Sequence, residues 1–308
     1  MGYPIENMLV VGISGRALFD LSHEHAIFEN EGLQAYKKVQ REREDTPLSP
    51  GTAFHVAQGL LSINKKLATR AVEVVVISRN DGDSGLRIMN SIKAHNLDIT
   101  RASFCGGRNA HQYFAAYQCK LFLSADEDDV RSVIASRGAA ALMLPPPLGG
   151  QYESNEVRIA FDGDAVIFSD EAERVYQEKG LLPFHNTEAA KATIPLQPGP
   201  FKAFLQSLAS IQAQFPADKS PIRTAVVTAR NAPAHERAIR TLREWGITVD
   251  EMHFLGGIDK SGVLQVFHPH IFFDDQQSHV ESCAAKMPAG QVLYGIASRR
   301  KPPASVAS

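Results

Sequence analysis

The sequence has little that would suggest a disulfide-bonded, membrane-bound or nucleic-acid-binding protein. Only three cysteines occur in 308 residues, and their scattered positions match neither a disulfide framework nor a zinc site. No apolar run approaches the roughly 18 residues of a membrane span. The formal net charge of −2 provides no electrostatic attraction to nucleic acid or to an anionic membrane. The N-terminal segment lacks a basic region before its apolar run, so we expect no signal peptide and a cytoplasmic location.

The composition is that of an ordinary globular protein, with 44% hydrophobic and 21% charged residues. A chain of 308 residues is long enough for about two domains with sizeable cores. The final segment, 299–308, carries three basic residues and two prolines and is predicted to be a disordered tail.

The chain contains an internal repeat. Residues 12–20 (GISGRALFD) resemble residues 160–168 (AFDGDAVIF), which aligns Gly15 with Gly163 at a shift of 148 positions. VVISRN at 75–80 aligns with VVTARN at 226–231 at a shift of 151, and FCGG at 104–107 aligns with FLGG at 254–257 at a shift of 150. Similar segments in the same order, at a nearly constant shift, indicate a duplication.

Both copies predict the same series of elements. Apolar runs typical of strands alternate with stretches at helical spacing, and the strands are expected at 9–13, 73–77, 102–104 and 120–124 and at 157–161, 223–227, 253–255 and 270–273. Pro-Gly pairs at 50–51 and 198–199 predict helix starts. The alternation favours parallel strands with right-handed crossovers. We therefore expect an α/β fold of two tandem Rossmann-like, doubly wound lobes, 1–146 and 147–298, joined by the PPPLGG linker at 145–150.

Polar residues follow the predicted strands of the second copy. They are Asp162, Gly163 and Asp164 after the first strand, Thr228, Ala229 and Arg230 after the second, Lys260 beyond the third, and Asp274 and Asp275 after the fourth. The carboxyl ends of parallel strands meet at one crevice, where ligands of such sheets bind. Carboxylates this close repel one another, and a cation between them removes the repulsion. The pattern predicts a Mg²⁺ and phosphate site, although each acidic pair alone is also typical of a solvated turn.

Phosphoryl transfer assigns a role to each of these residue types. Asp162 can attack phosphorus, and Asp164 can protonate the leaving oxygen and then activate water. The hydroxyl of Thr228, with neighbouring backbone N–H groups, can hold phosphoryl oxygens. Lys260 can offer a point charge to the same oxygens, although a lone lysine at a helix start is as often a solvated one.

At these positions the sequence resembles a known family. Four segments resemble the four motifs of haloacid dehalogenase-like phosphatases. They are FDGDAV, VVTARN, the position of Lys260 after FLGG, and FFDDQ. Over roughly residues 9 to 296 the sequence is similar to the class I cytosolic 5′-nucleotidases. The segments that carry this similarity are SGRALFDL, PLSPGTAF, ISRNDGDSGLRI, AFDGDAVIFSDEAERVY and TARNAPAHERAIRTLREWGI. The resemblance implies a Mg²⁺-dependent hydrolase of nucleoside 5′-monophosphates, chiefly AMP, that works through an aspartyl-phosphate.

The resemblance also implies a role for individual residues. Asp162 would be the nucleophile and Asp164 the acid/base, and Thr228 and Lys260 would be phosphate ligands. Asp274, Asp162 and the backbone carbonyl of Asp164 would bind the metal, with Asp275 in support. Members of the family are oligomers, and some respond to nucleoside diphosphates, so a homo-oligomer and a nucleotide effector are expected.

The first copy lacks the acidic residues that follow the strands of the second copy. Ser14 and Arg16 stand where Asp162 and Asp164 do. Ser124, Ala125 and Ala110 replace the remaining carboxylates and the lysine. This lobe is interpreted as a lid, an oligomer contact or a regulatory unit.

An arginine in place of an acid converts a metal site into an anion site. We therefore take Arg16 and Arg79 as candidate nucleotide or regulator contacts, and the RNAHQY segment adds Arg108, His111 and Tyr113.

Two other functions remain open at this stage. The chain could be a phosphatase of the same fold that acts on another small phosphate ester, which a substrate panel would distinguish. It could also be a nucleotide-sensing protein without turnover, which binding without hydrolysis would favour. G-x-S-x-G, GxGxxG and Walker A sequences are absent, so the serine hydrolase, dinucleotide-binding and P-loop classes are not supported.

Overall fold

The computed structural model describes residues 4–145, 152 and 156–298. Of the predicted linker, residues 146–150 lie outside the described residues, and so does the predicted disordered tail, 299–308.

The described residues form one ten-stranded sheet with helices between the strands. The strands of the first half are β1 (Leu9–Ile13), β2 (Val72–Ser78), β3 (Arg101–Phe104), β4 (Leu121–Ser124) and β5 (Ala140–Met143). Those of the second half are β6 (Val157–Phe161), β7 (Ile222–Thr228), β8 (Glu251–Phe254), β9 (Ile271–Asp274) and β10 (Ala289–Gln291). β1 and β2 are buried along their whole length, as expected for parallel strands covered on both faces.

The two halves of the sheet run in opposite directions. The strand order is β3-β2-β1-β4-β5-β10-β9-β6-β7-β8, and the strands within each half pair in parallel. β5 and β10 join the halves as an antiparallel pair. The carboxyl ends of the first five strands therefore lie at one edge of the sheet, and those of the second five lie at the opposite edge.

Helices follow the strands in the same order in both halves. In the first half they are α1 (Gly15–Leu18), α2 (Ser22–Glu31), α3 (Leu33–Glu42), α4 (Phe54–Ile63), α5 (Gly82–Ala94), α6 (His111–Ala116) and α7 (Glu127–Ala135). In the second half they are α8 (Glu171–Lys179), α9 (Leu181–Ala190), α10 (Lys202–Gln212), α11 (His235–Glu244), α12 (Ser261–Phe267) and α13 (Gln277–Ala284). A π-type turn, Gly163–Ile167, takes the place of α1 in the second half.

The sequence predicted eight of the ten strands. The two that it missed, β5 and β10, are the short strands that join the halves. After the first strand of each half, the sequence predicts one helical stretch, at 23–44 and at 170–190. In the structure each stretch is two helices, separated at Gly32 (φ 86°) and Gly180 (φ 84°). The helices after the Pro-Gly pairs begin three residues later than Gly51 and Gly199, at Phe54 and Lys202.

The strand register corrects one of the alignments made from sequence. β1 pairs with β2 so that Leu9 lies opposite Val72, and β6 pairs with β7 so that Val157 lies opposite Ile222. The equivalent shift between β2 and β7 is therefore 150 positions, not the 151 of the VVISRN alignment. With this shift Ser78 is the counterpart of Thr228, and Asn80 is the counterpart of Arg230.

One face of the sheet carries a core that both halves share. Val11 and Ile13 of β1 belong to the same buried cluster as Ile159 and Phe161 of β6. The side chains that alternate with them, such as Val10 and Ala160, lie in two separate clusters, one for each half. Period-two alternation thus places every second strand residue in the common core.

All three cysteines are buried and form no disulfide. Over the described parts of the chain, no helix has the length and apolar character that crossing a membrane requires.

Candidate active site

Asp162 lies at the carboxyl end of a buried strand. It follows β6 directly, and its backbone N–H donates to the carbonyl of Phe273 at 2.7 Å, which continues the pairing with β9. The chain then enters the π-type turn, where Ala165 adopts a left-handed conformation (φ 58°). Strand pairing and this turn hold the Asp162 carboxylate at the sheet edge, where it is 5% exposed.

Three carboxylates converge at this edge. One oxygen from each of Asp162, Asp274 and Asp275 lies within 4.8 Å of the others, and all three residues are buried. Among the described residues, this is the acidic group that could hold a metal ion. The sequence-based prediction placed these three residues together, and the structure brings them together.

The chemistry of the cluster fits a hard divalent cation. Neither carboxylate oxygen of Asp275 has a hydrogen-bond partner, although both are buried. Burial, and then the neighbouring carboxylates of Asp162 and Asp274, raises the pKa of Asp275 to about 10. Burial likewise raises the pKa of Asp162 to about 7, although Lys260 opposes the shift. Three carboxylates this close cannot all ionise easily, because their negative charges repel one another. A bound cation would remove that repulsion, and Mg²⁺ prefers carboxylate oxygens as ligands.

Lys260 places its ammonium group between two of these carboxylates. Its Nζ lies 2.7 Å from Oδ1 of Asp162 and 2.6 Å from Oδ2 of Asp274. Burial disfavours the charged amine, but the two carboxylates outweigh it and raise the pKa of Lys260 above its usual value. Lys260 is therefore a permanent cation in the site and is not the solvated lysine of the alternative interpretation.

The Thr228 hydroxyl lies beside the turn that follows Asp162. Thr228 ends β7, and its Oγ1 accepts a hydrogen bond from the backbone N–H of Arg230 at 3.2 Å. A Cβ atom on Gly163 would lie 3.3 Å from the same Oγ1, so a side chain there would crowd the hydroxyl. The hydroxyl keeps its own hydrogen for donation. Ala229, the next residue, is exposed.

Asp164 pairs with Arg230 and stays outside the acidic cluster. Nε and Nη2 of Arg230 donate to the two oxygens of Asp164, both at 2.8 Å. The remaining guanidinium nitrogen, Nη1, donates to Glu188 and to the carbonyl of Ala234. Arg230 was predicted as a phosphate contact, but the structure shows its buried guanidinium engaged with these protein groups.

Four residues of the site were missed by sequence reasoning. They are Glu173, Glu188, Arg237 and His279. Glu188 bridges Arg230 and Arg237, and Nδ1 of His279 lies 3.2 Å from Asp274. Glu173 has a buried carboxylate oxygen without a hydrogen-bond partner, and burial followed by the Asp164 charge raises its pKa. All four lie on helices, where a charged residue carries no sequence signal that distinguishes it from a solvated one.

The equivalent edge of the first half carries a cavity of about 400 Å³. Ser14 lines it, and so do Arg16 and Arg79, two of the candidate contacts named from sequence. The other candidate contacts do not line it. Arg108 is exposed, His111 bonds to Asn109, and Tyr113 packs against an apolar cluster.

Comparison with known proteins gives a consistent result over the whole chain. Residues 1–299 match the family model described as 5′-nucleotidase. Over 287 residues the chain is 36% identical to human cytosolic 5′-nucleotidase 1B, and the aligned part is 90% of this chain and 47% of the human protein. The chain thus spans about half the length of the curated relative that it matches.

Proposed function

Because the chain belongs to the 5′-nucleotidase family, we propose that it hydrolyses nucleoside 5′-monophosphates, AMP-like ones first, to a nucleoside and phosphate. The observation that carries the proposal is the buried cluster of Asp162, Asp274 and Asp275 with Lys260 beside it. The human relative is named a cytosolic 5′-nucleotidase, which supports both the substrate class and a cytoplasmic location.

We propose Mg²⁺ as the cofactor. Asp162, Asp274 and Asp275 would hold it with their carboxylates, and Asp164 would contribute its backbone carbonyl. The orphaned oxygens of Asp275 support this assignment, because a buried carboxylate without partners is costly unless it binds a cation. When bound, the ion would neutralise negative charge on the phosphoryl oxygens.

The reaction proceeds in two steps on this chain's own residues. A carboxylate oxygen of Asp162 forms a bond to phosphorus while the bond from phosphorus to the nucleoside O5′ breaks, and Asp164 delivers a proton to that oxygen. Asp164 then takes a proton from water, whose oxygen attacks phosphorus and releases Asp162. Thr228 and Lys260 hold the phosphoryl oxygens throughout, with Gly163 and Ala229 lining the approach.

Arg230 acts in this scheme by orienting Asp164. Two parallel hydrogen bonds hold the carboxylate in one plane. Proton transfer requires correct placement as well as a suitable carboxyl group, and the guanidinium supplies the placement.

We also propose that the chain arose from duplication of a haloacid dehalogenase-like lobe, with boundaries 1–146 and 147–298. Three similarities between the halves support this origin. The strand registers are equal. A glycine separates two helices in each half, and each half has one antiparallel bridge to a proline, Phe19 with Pro50 and Phe168 with Pro198. The opposite strand directions place the two crevices at opposite sheet edges. The first half therefore serves as a regulatory or oligomer-forming unit rather than as a lid over Asp162, and a homo-oligomer remains part of the proposal.

The test is phosphate release from a panel of nucleoside monophosphates and sugar phosphates, with Mg²⁺ or with chelator. We expect Mg²⁺-dependent release from AMP that Asp162→Asn abolishes. Asp218→Asn, at an exposed aspartate far along the chain, is the matched control and should retain activity.

Two outcomes would contradict the proposal. Release from sugar phosphates alone would retain the mechanism and reject the nucleotide substrate. Binding of AMP by folded protein without any release would favour a nucleotide-sensing role.

A further inference from the structure

The cavity in the first half lies where the catalytic site lies in the second. Ser14 follows β1 as Asp162 follows β6, and their backbone N–H groups donate to Leu123 and Phe273 in the same way, at 2.8 and 2.7 Å. Ser124 ends β4 at the position equivalent to Asp274. Both serines line the cavity, so hydroxyl groups stand where the second half has carboxylates.

The hydroxyl groups of Ser14 and Ser124 accept hydrogen bonds from backbone N–H groups. Oγ of Ser14 accepts hydrogen bonds from the backbone N–H groups of Ala17 and Ala125, at 3.3 and 3.4 Å. Oγ of Ser124 accepts one from the N–H of Asp126 at 3.1 Å. Ser14 is 8% exposed and Ser124 is 0% exposed. Because the backbone uses both lone pairs of the Ser14 hydroxyl, its O–H hydrogen remains for a ligand that accepts hydrogen bonds.

Arg16 is the cation of the cavity that lacks a partner. Lys37 pairs with Asp81 at 2.5 Å. Arg79 pairs with Asp126 at 2.9 Å and with Asp129 at 3.0 Å. Within the described residues, the guanidinium of Arg16 makes no hydrogen bond or ion pair. The reason lies in the repeat, since Asp164, its counterpart, pairs with Arg230, and Asn80 replaces that arginine here.

The cavity also has apolar and aromatic lining residues, which suit the body of an organic ligand. Leu21, Phe28, Leu33 and Tyr36 line it, and Phe28 and Leu33 are 45% and 50% exposed. The volume of about 400 Å³ lies in the range of small-molecule sites. An anionic group at Arg16 would therefore be joined to a ring-sized apolar or aromatic body.

We propose that the first half binds a nucleoside phosphate at this cavity, without a metal ion and without hydrolysing it. The phosphate contacts Arg16 and the hydroxyl of Ser14, and the base and sugar lie toward Phe28 and Tyr36. No carboxylate stands at the position of Asp162 or Asp164, so the bound ester has neither a nucleophile nor a proton donor there. Because the two crevices open at opposite sheet edges, this ligand does not compete for the catalytic crevice.

The test is hydrogen–deuterium exchange of the full-length protein in chelator, with AMP as the probe. Omitting Mg²⁺ removes turnover, so the result does not depend on the proposed hydrolysis. We expect AMP to slow exchange in segments 14–18, 78–81 and 124–126. Arg16→Ala should raise the AMP concentration needed for this protection by about tenfold or more, as for loss of a charge-assisted contact. Arg43→Ala removes an exposed arginine outside the cavity lining and should leave protection unchanged.

Three results would overturn the proposal. Protection confined to segments 162–168 and 228–231 would place AMP in the catalytic crevice alone. Equal protection in Arg16→Ala would exclude the contact on which the site depends. Protection by inorganic phosphate at the same concentration as AMP would show that the nucleoside contributes nothing.

Discussion

Arg230 holds Asp164 through two hydrogen bonds of 2.8 Å, one to each carboxylate oxygen. The arginine is buried, and its guanidinium also contacts Glu188, which in turn contacts Arg237. The proposed proton donor, Asp164, is thus the partly exposed end of a buried series of ion pairs that reaches from the turn after β6 to helix α11. The guanidinium of Arg230, two residues after Thr228, is thus engaged with protein groups.

Replacement of Arg230 by lysine should distinguish an effect of its positive charge from an effect of its orienting Asp164. Arg230→Lys keeps the positive charge but cannot form the bidentate pair with Asp164. We expect kcat to fall by about 10²-fold with a smaller change in KM, as for misplacement of a catalytic group by about 1 Å. Steady-state kinetics on AMP measures both constants. Arg240→Lys, on the exposed face of α11, is the control, and a loss confined to KM would contradict an orienting role.

Removal of the buried carboxylate between the two arginines should destabilise the fold. Glu188→Gln leaves Arg230 and Arg237 without the negative charge that they share. Breaking a buried ion pair typically costs about 3–5 kcal/mol in the free energy of unfolding. Urea denaturation measures this change. Glu178→Gln, at an exposed position on α8, should change the free energy by less than about 0.5 kcal/mol. An equally stable Glu188→Gln protein would show that the charges are compensated elsewhere.

Asp275 should matter to metal binding more than to folding. Burial and the neighbouring carboxylates raise the pKa of its carboxyl group to about 10, so the group is largely neutral near pH 7 and an amide is a close substitute. We therefore expect Asp275→Asn to keep the Tm of the chelator-treated protein. The rise in Tm on adding Mg²⁺ should shrink, because stabilisation by a ligand follows its affinity. Thermal melts with and without Mg²⁺ test this, with Asp45→Asn as an exposed control. An undiminished rise would remove Asp275 from the metal site.

Gly51 should be intolerant of any side chain. A Cβ atom there would lie 2.8 Å from the carbonyl oxygen of Ala17 and 2.8 Å from the carbonyl carbon of Phe19, both backbone atoms that cannot move aside. We expect Gly51→Ala to lower the free energy of unfolding by roughly 1–3 kcal/mol, the usual cost of overpacking. Gly82→Ala, at the start of α5, meets no atom within 4 Å and should be neutral or slightly stabilising. Chemical denaturation of both variants gives the comparison.

Most of the sheet could be predicted because its strands are short apolar runs between turn residues. β1 is buried along its whole length and β6 at every residue but Arg158, and the acids after β6 interrupt a hydrophobic run. β5 and β10 escaped prediction because Ala-Ala-Leu-Met and Ala-Gly-Gln lack the β-branched residues that mark a strand. Their pairing depends on neighbouring strands rather than on local preference.

The positions of the acidic and basic residues of the site could be predicted, but the ion pairs that they form could not. Asp162, Asp274, Asp275 and Lys260 follow strands of a parallel sheet, so topology alone brings them to one edge. The partner of Arg230 could not be predicted, because the choice between a phosphate and Asp164 depends on side-chain direction. The burial of Glu173 and Glu188 could not be predicted for a related reason, since helix packing decides which charged residues are buried.

The sequence by itself determined the similarity of the two halves, the acidic and basic residues that follow the strands of the second half, and the absence of those acids from the first half, because these depend on residue type and spacing along the chain. Only the tertiary structure decided that the halves join through an antiparallel pair and share one core. That junction turns the two crevices to opposite edges of one sheet. The direction of β10 relative to β5 is set by packing between distant segments, which no local pattern encodes.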